Sequence, residues 1–132
     1  MVVDTSALMA ILLGEPEAES FVRSLADDPK KMISAFNALE SAIVIEAKKG
    51  EAGGRELDLL LHRARIETVG LNSDQAELAL AAWRKYGKGN HPAGLNIGDC
   101  CAYALAKYTG YHLLFKGNDF SQTDIRPVIA ER

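Results

Sequence analysis

The chain has 132 residues, of which 48% are hydrophobic and 25% charged, proportions typical of one globular domain rather than of a disordered or fibrous segment. Its 15 Lys and Arg against 18 Asp and Glu give a net charge of −3, which does not by itself indicate a nucleic-acid-binding protein. The longest apolar run, 7–13, is too short to span a membrane, and no secretory signal pattern precedes it. The two cysteines, Cys100 and Cys101, are adjacent and fit neither a disulfide framework nor a zinc site, which is consistent with a reducing cytoplasm. The length excludes two full domains, so we expect a single domain over residues 1–132.

In the first half of the chain, short β-prone runs alternate with helical patterns. Strands are predicted at 1–3, 32–33 and 66–69. The predicted helices cover 6–26 with a break near Gly14–Pro16, 38–49 ending at Gly50, a segment around 57–64 after a joint at Gly53–Gly54, and 73–86. The order strand, then helix, recurs along this half.

The second half continues the alternation after a glycine-rich loop at 87–98. A helix is predicted over 97–108 with Gly110 as its cap, then a buried strand at 112–115 and a possible edge strand at 127–129. The sequence therefore predicts an α/β fold with a mostly parallel sheet of four or five short strands and helices on both faces. In such folds, ligands bind beyond the carboxyl ends of the strands.

Four acidic residues are predicted to lie at this carboxyl edge. Asp4 and Asp119 each follow a predicted strand, whereas Glu40 and Asp99 lie in the first turns of helices that start at the same edge. Like charges about 4 Å apart cost roughly 4 kcal/mol at an effective dielectric near 20, so such a cluster needs a compensating cation. All-oxygen acidic sites suit Mg²⁺ or Mn²⁺, and such an ion activates water for phosphodiester hydrolysis.

Each of these acids also has a structural alternative. Asn37-x-x-Glu40 and Asn96-x-x-Asp99 both have the spacing of a capping box, in which the acid accepts a hydrogen bond from the cap residue's N–H. Asp4 could cap the first helix, and Asp119 could be an ordinary turn residue.

The residues around the acids resemble a known family. VVDTSALMAILLGEPEAE, SAFNALESAIVIEAKKG, LNIGDCCAYALAKYTG and LLFKGNDFSQTDI are similar, in order and spacing, to the four acidic blocks of PIN-domain ribonucleases, in particular the VapC toxins of bacterial type II toxin–antitoxin pairs. The similarity extends over essentially the whole chain and includes RKYGKGNHPAGLN. It implies a PIN-domain fold and a Mg²⁺- or Mn²⁺-dependent endoribonuclease, usually a homodimer, that is inhibited by a cognate antitoxin.

The resemblance also implies roles for individual residues. The family's catalytic and metal-binding acids match Asp4, Glu40, Asp99 and Asp119, and its hydroxyl after the first acid corresponds to Thr5 or Ser6. We favour Ser6 for a substrate or metal-water contact, although a helix-start hydroxyl is the alternative. Some relatives carry a further acid where this chain has Asn118, and Asp124 is interpreted as a loop cap.

An acidic centre that cleaves RNA needs cations beside it. No carboxylate occurs from Leu78 to Gly98, where basic residues accumulate. The candidates for phosphate contacts are Arg84, Lys85, Lys88, His91 and Lys116. For any single lysine, an ordinary solvated surface position is the alternative. Tyr103 and Trp83 could stack on bases, but their helical spacing favours packing in the core or at an interface.

Two further questions stay open at this level. The apolar run 7–13 either meets a partner chain or is covered by the neighbouring helix around Phe21, Val22 and Leu25. The alternative to an enzyme is a catalytically silent PIN-like domain that binds RNA or protein. A phosphatase-type or receiver-type fold that phosphorylates Asp4 is disfavoured, because such phosphatases need a second aspartate where this chain has Ser6.

Overall fold

The computed structural model describes residues 1–128, which form four short strands and five α-helices. The strands are β1 (Val2–Val3), β2 (Lys31–Ser34), β3 (Ile66–Val69) and β4 (Leu113–Leu114). The helices are α1 (Thr5–Leu12), α2 (Ala18–Asp27), α3 (Ala35–Arg63), α4 (Ser73–Tyr86) and α5 (Ile97–Thr109), and a 3₁₀ turn follows at Phe120–Gln122. None of these helices is long and apolar enough to cross a membrane.

The strands form one sheet in the order β3-β2-β1-β4, and every pairing is parallel. Pro127 makes a parallel bridge to Leu113, and the Val128 N–H donates to the Leu113 carbonyl at 2.9 Å. The predicted edge strand is therefore present as a single bridge beside β4, and its last residue, Ile129, lies outside the described residues. The mostly parallel α/β fold predicted from the sequence is confirmed.

Apolar side chains cover both faces of the sheet, because neighbouring residues of a strand point in opposite directions. Val2 belongs to a core that includes residues of α4 and α5, such as Ala82 and Leu105. The next residue, Val3, belongs to a second core that includes Leu8 and other residues of α1, α2 and α3. The sheet is thus sandwiched between two helical layers, as predicted.

Helix α1 is covered by the chain itself. Its residues Ala7, Leu8, Met9 and Ala10 are all buried, in the core that also contains Leu25 of α2. Residues 11–13 are partly buried. The structure therefore supports intramolecular packing, rather than a partner chain, as the reason for most of the apolar run 7–13.

The helix end predicted at Gly50 coincides with a kink, beyond which α3 continues. Gly50 has φ 66° and ψ −163° inside α3, so the helical path breaks there and resumes at once. Gly53 and Gly54, predicted as a joint, are helical, and a Cβ on Gly53 would stand 2.8 Å from the Cβ of Lys49. The kink folds the helix so closely on itself that this position has no room for a side chain. The predicted joint at 53–54 was therefore wrong, and the break at Gly50 accounts for the change of direction.

Candidate functional site

Asp4 lies at the carboxyl end of β1 and is the N-cap of α1. One carboxylate oxygen, Oδ2, accepts hydrogen bonds from the Ser6 N–H at 3.0 Å and the Ser6 hydroxyl at 2.6 Å. The other oxygen, Oδ1, is buried and has no hydrogen-bond partner among the described residues. Burial raises the pKa of Asp4 to about 7, and the nearby charges of Asp99 and Glu40 act in the same direction, against the hydrogen bonds from Ser6.

Glu40 approaches this edge from α3. The helix begins at Ala35, directly after β2, and Ser34 caps it by accepting a hydrogen bond from the Phe36 N–H. Glu40 consequently lies in the second helical turn, and the predicted Asn37–Glu40 capping box was wrong because the helix starts earlier than its apolar pattern indicates. The Glu40 carboxylate accepts a 2.6 Å hydrogen bond from the Thr5 hydroxyl of α1.

Asp99 approaches from the first turn of α5. Its predicted capping box is confirmed: the Asp99 N–H donates to Asn96 Oδ1 at 2.9 Å, and the Asn96 N–H donates to Asp99 Oδ2 at 3.1 Å. The pKa of Asp99 is raised to about 6, mainly by burial; the hydrogen bond from Asn96 acts to lower it, and the charges of Asp119 and Glu40 act to raise it. The same carboxylate thus caps a helix and stands within electrostatic range of two other acids.

The C-terminal segment carries the remaining candidate acids. Asp119 is exposed and precedes the 3₁₀ turn, and its charge reaches Asp99. Asp124 is not a loop cap as predicted, because its carboxylate accepts hydrogen bonds from Tyr103 at 2.5 Å and Lys107 at 2.6 Å. Although burial acts to raise the pKa of Asp124, these hydrogen bonds hold it below its usual range. Asn118 is exposed, and its backbone carbonyl accepts a hydrogen bond from Ser121.

The acids share one edge of the sheet but are not arranged as a finished ligand cage. Within residues 1–128, no group of three or more His, Cys, Asp or Glu side chains could hold a metal ion as it stands. Asp4, Glu40 and Asp99 each accept hydrogen bonds from a separate neutral donor. Mutual repulsion among carboxylates acts in the same sense.

The predicted phosphate-binding cations differ in solvent exposure and in the contacts they already make. Arg84, Lys85 and Lys88 are exposed at the end of α4 and just beyond it, with the Lys85 ammonium 5.2 Å from the centre of the Tyr86 ring. His91 is partly buried, packs edge-on against Tyr86, and accepts a hydrogen bond on Nδ1 from the Ala93 N–H at 3.0 Å.

Lys116 lies close to Ser6 but its charge is already paired. Its backbone N–H donates to the Ser6 hydroxyl at 3.0 Å, while its ammonium forms ion pairs with Glu15 and Glu17. These carboxylates raise the pKa of the Lys116 ammonium. A phosphate that binds Lys116 therefore competes with two carboxylates for the ammonium.

The two aromatic candidates occupy different environments. Tyr103 is buried in the core and its hydroxyl is committed to Asp124, in agreement with the packing interpretation. Trp83 is 47% exposed and, together with Leu80 and Ile97, lines an apolar groove of about 470 Å³ between α4 and α5.

Comparisons with known proteins identify the family. A match to the PIN domain covers residues 1–126. The chain is 57% identical to Ribonuclease VapC of Mycolicibacterium smegmatis over 97% of this chain and 99% of that protein. It is 56% identical to Ribonuclease VapC30 of Mycobacterium tuberculosis over 97% of this chain and 98% of that protein. The chain belongs to the VapC family of PIN-domain proteins.

Solved structures agree on the fold. Mycobacterium tuberculosis VapC20, described as a sarcin–ricin loop cleaving toxin, superimposes with a TM-score of 0.78 at 18% identity, covering 96% of this chain and 97% of that one. A toxin–antitoxin complex from Klebsiella pneumoniae gives a TM-score of 0.71 at 20% identity, covering 93% and 92% of the two chains. The α/β architecture of this VapC-family chain is thus shared with proteins of low sequence identity.

The chemistry of the acidic edge in this VapC-family chain fits a hard divalent cation. The available donors are carboxylate and hydroxyl oxygens, which Mg²⁺ and Mn²⁺ prefer. The unpartnered, buried Oδ1 of Asp4 is a costly arrangement that a cation would relieve.

Three residues that surround the Glu40 carboxylate were not predicted from the sequence to do so. Thr5 was considered only as an alternative to Ser6, yet its hydroxyl binds Glu40. Asn37 was interpreted as a helix cap, although its side-chain amide lies 3.5 Å from Glu40 Oε1. Gly98 was not singled out, although a Cβ on it would stand 2.5 Å from Glu40 Oε2. The position of Gly98 next to Asp99 was the one available signal in the sequence.

Proposed function

We propose that this chain is a Mg²⁺-dependent endoribonuclease, active also with Mn²⁺, that acts as the toxin of a type II toxin–antitoxin pair. The observation that carries the proposal is the approach of Asp4, Glu40 and Asp99, from three separate elements, to one sheet edge, where the charge of Glu40 acts to raise the pKa of both Asp4 and Asp99. The names of the close relatives, Ribonuclease VapC and Ribonuclease VapC30, support RNA as the substrate class.

Asp4, Glu40 and Asp99 are the proposed principal metal ligands, with Asp119 completing the set. When bound, such an ion polarises a phosphoryl oxygen and lowers the pKa of its water. The side chains around the acids fix their orientation: Ser6 holds Asp4, Thr5 holds Glu40, and the backbone of Asn96 holds Asp99. The chain's contribution is a preorganised, partly desolvated anionic edge.

The cations beside this edge are the proposed contacts to RNA phosphates. Arg84, Lys85 and Lys88 are exposed and supply a sequence-independent attraction that offsets the repulsion between RNA and the acids. His91, which packs against Tyr86, would orient the loop that follows α4 toward the RNA. We propose that Lys116 joins them when a phosphate competes with Glu15 and Glu17 for its ammonium.

An antitoxin and a second copy of the chain are the proposed protein partners. Large apolar side chains remain exposed close to the acidic edge, including Leu39 and Ile43 at 60% each and Ile97 at 67%. Leu39 and Ile43 line one apolar surface groove, and contiguous exposed apolar groups are typical of interaction surfaces. A light-scattering mass of one chain in the purified protein would refute the homodimer, and undiminished cleavage after coexpression with the candidate antitoxin would refute inhibition.

Cleavage of a mixed RNA pool tests the enzymatic proposal. The purified chain is incubated with Mg²⁺, with Mn²⁺ or with excess EDTA, and the new ends are mapped. We expect cleavage only with metal, giving 5′-phosphate and 3′-hydroxyl ends. Asp99→Asn should abolish cleavage, whereas Asp74→Asn, a matched change in the first turn of α4, should leave it unchanged.

Two results would contradict the proposal in different ways. Cleavage that persists in EDTA, with cyclic phosphate ends, would indicate catalysis through the RNA 2′-hydroxyl without a metal. Absence of both Mn²⁺ binding and cleavage, together with tight RNA or antitoxin binding, would support the catalytically silent binding module instead.

A further inference from the structure

Gly98 leaves the space that the Glu40 carboxylate occupies. A Cβ built on Gly98 would stand 2.5 Å from Glu40 Oε2 and 2.6 Å from Oε1, closer than any non-bonded contact allows. Gly98 is buried and belongs to the first turn of α5, immediately before Asp99. The missing side chain therefore lets the acid of α3 reach the helix turn that carries the acid of α5.

Asn37 ties the same two helices together. Its side-chain amide Nδ2 donates to the Gly98 carbonyl at 3.0 Å and to the Thr5 hydroxyl oxygen at 3.2 Å, and Thr5 in turn donates to Glu40 at 2.6 Å. Asn37 is completely buried. Rotation of the amide by half a turn would place Oδ1 against the Gly98 carbonyl oxygen, so the contacts fix its orientation.

We propose that Gly98 and Asn37 are positioning residues that set the location of the Glu40 carboxylate relative to Asp99, and so determine how tightly the acidic edge binds a divalent cation. This inference rests on the proposed metal-dependent function. Gly98 acts by leaving room, and Asn37 acts by holding α1, α3 and α5 at a fixed separation through Thr5 and the Gly98 carbonyl.

A simple packing role would give a different result from the one expected here. Alanine in place of a helical glycine restricts the unfolded chain and favours the helix. The atoms that a Cβ on Gly98 would meet are the ends of a flexible side chain, so the chain can fold with Glu40 displaced. Gly98→Ala should therefore leave the melting temperature unchanged or higher and still weaken metal binding.

The first experiment measures Mn²⁺ affinity by titration calorimetry, together with the melting temperature in EDTA. We expect Gly98→Ala to bind Mn²⁺ about 10- to 100-fold more weakly, the range usual for residues that support metal ligands. Gly70→Ala is the matched control, because a Cβ there meets nothing within 4 Å. Equal affinity for the Gly98→Ala chain and the natural chain would overturn the role of Gly98.

A second pair of variants tests Asn37. Asn37→Ala removes the donor to Gly98. Asn72→Ala removes a helix cap elsewhere, at the start of α4, where Asn72 accepts the Gln75 N–H at 2.8 Å. Both variants should melt at lower temperature, but only Asn37→Ala should lose Mn²⁺ affinity. A loss of affinity in neither variant, or an equal loss in both, would show that Asn37 contributes to stability alone.

A double-mutant cycle establishes whether Gly98 acts through Glu40. In a Glu40→Gln background, Gly98→Ala should change Mn²⁺ affinity less than about twofold, because the group it displaces is already inactive. If the two substitutions reduce Mn²⁺ affinity additively, the proposal that Gly98 acts through Glu40 is overturned. If the natural chain itself neither binds Mn²⁺ nor cleaves RNA, the proposed function fails and this inference with it. If the natural chain binds Mn²⁺ and cleaves RNA but Gly98→Ala has the same Mn²⁺ affinity, only the inference about Gly98 is overturned.

Discussion

The buried carboxylate of Asp4 should make the metal-free protein less stable as the pH rises. Burial raises the pKa of Asp4 from 3.8 to about 7 in the folded chain. Between these values the folded state holds a proton that the unfolded state has released, so the free energy of unfolding decreases as the pH increases. The difference corresponds to about 4 kcal/mol at most, a large part of the roughly 5–15 kcal/mol that stabilises a typical domain.

Other groups do not cancel this trend. Asp99, with its pKa raised to about 6, contributes with the same sign. Asp28 and Asp124 have lowered pKa values, and the stability they contribute is fully present above their ordinary pKa of 3.8 and is lost only in stronger acid. The interval from about pH 4.5 to pH 7.5 therefore reports mainly on the acidic edge.

Urea unfolding in EDTA at pH 5, 6, 7 and 8 measures the effect. The natural chain should lose stability across this series, Asp4→Asn should show a much flatter profile, and Asp74→Asn should follow the natural chain. Addition of Mn²⁺ should reverse the trend, because metal binding requires deprotonated carboxylates. A stability that is flat or increasing from pH 5 to pH 8 without metal would refute the buried-charge argument.

Three further outcomes follow from the packing and charge distribution. Leu8→Ala should lower the free energy of unfolding by about 2–5 kcal/mol in urea titrations, because Leu8 is completely buried; a loss below 1 kcal/mol would contradict its core position. Asp124→Ala should lower the free energy of unfolding by about 1 kcal/mol and leave Mn²⁺ affinity unchanged. A loss of Mn²⁺ affinity measured by calorimetry would assign Asp124 to the metal site. Lys88→Ala should reduce the slope of log RNA affinity against log salt by about 1, and an unchanged slope would remove Lys88 from the phosphate contacts.

The main features of the fold could be predicted because they depend on local patterns and a topological rule. The break between α1 and α2, the bounds of α4 and the capping box of α5 each have strong sequence signals. Parallel strands joined by helices bring their carboxyl ends to one edge, which is why residues as distant as Asp4 and Asp99 could be placed together before their structure was known.

The start of α3 and the helical conformation of Gly53 and Gly54 were less predictable because tertiary structure decides them. Ser34 is both the last residue of β2 and the cap of the helix, so no turn signal separates the two elements. Glycine patterns indicate a break equally well at Gly50 and at Gly53, but only the first has a positive φ, whereas the second permits close contact with Lys49. Both misassignments arise from residues whose role depends on what packs against them.

The side-chain contacts at the site could not be predicted from the sequence either. Lys116 and Glu15 are separated by 101 positions, so a basic residue next to the fourth acid looked available for phosphate although its charge is paired in the fold. The contacts of Asn37 with Thr5 and Gly98 likewise join three helices. No local spacing rule predicts such contacts, because each depends on the relative placement of elements.

From the sequence, each acid could be interpreted either as a structural residue or as a site residue. In the structure these two interpretations are compatible. Asp4 caps α1, Asp99 completes a capping box, and Glu40 binds Thr5, so each carboxylate has a hydrogen-bonding task apart from any metal. Replacement by alanine would remove both the charge and the cap, and a cap alone is worth about 1 kcal/mol. Asparagine and glutamine keep an oxygen that can accept the same hydrogen bonds, so loss of cleavage in these variants without any decrease in melting temperature isolates the contribution of the negative charge.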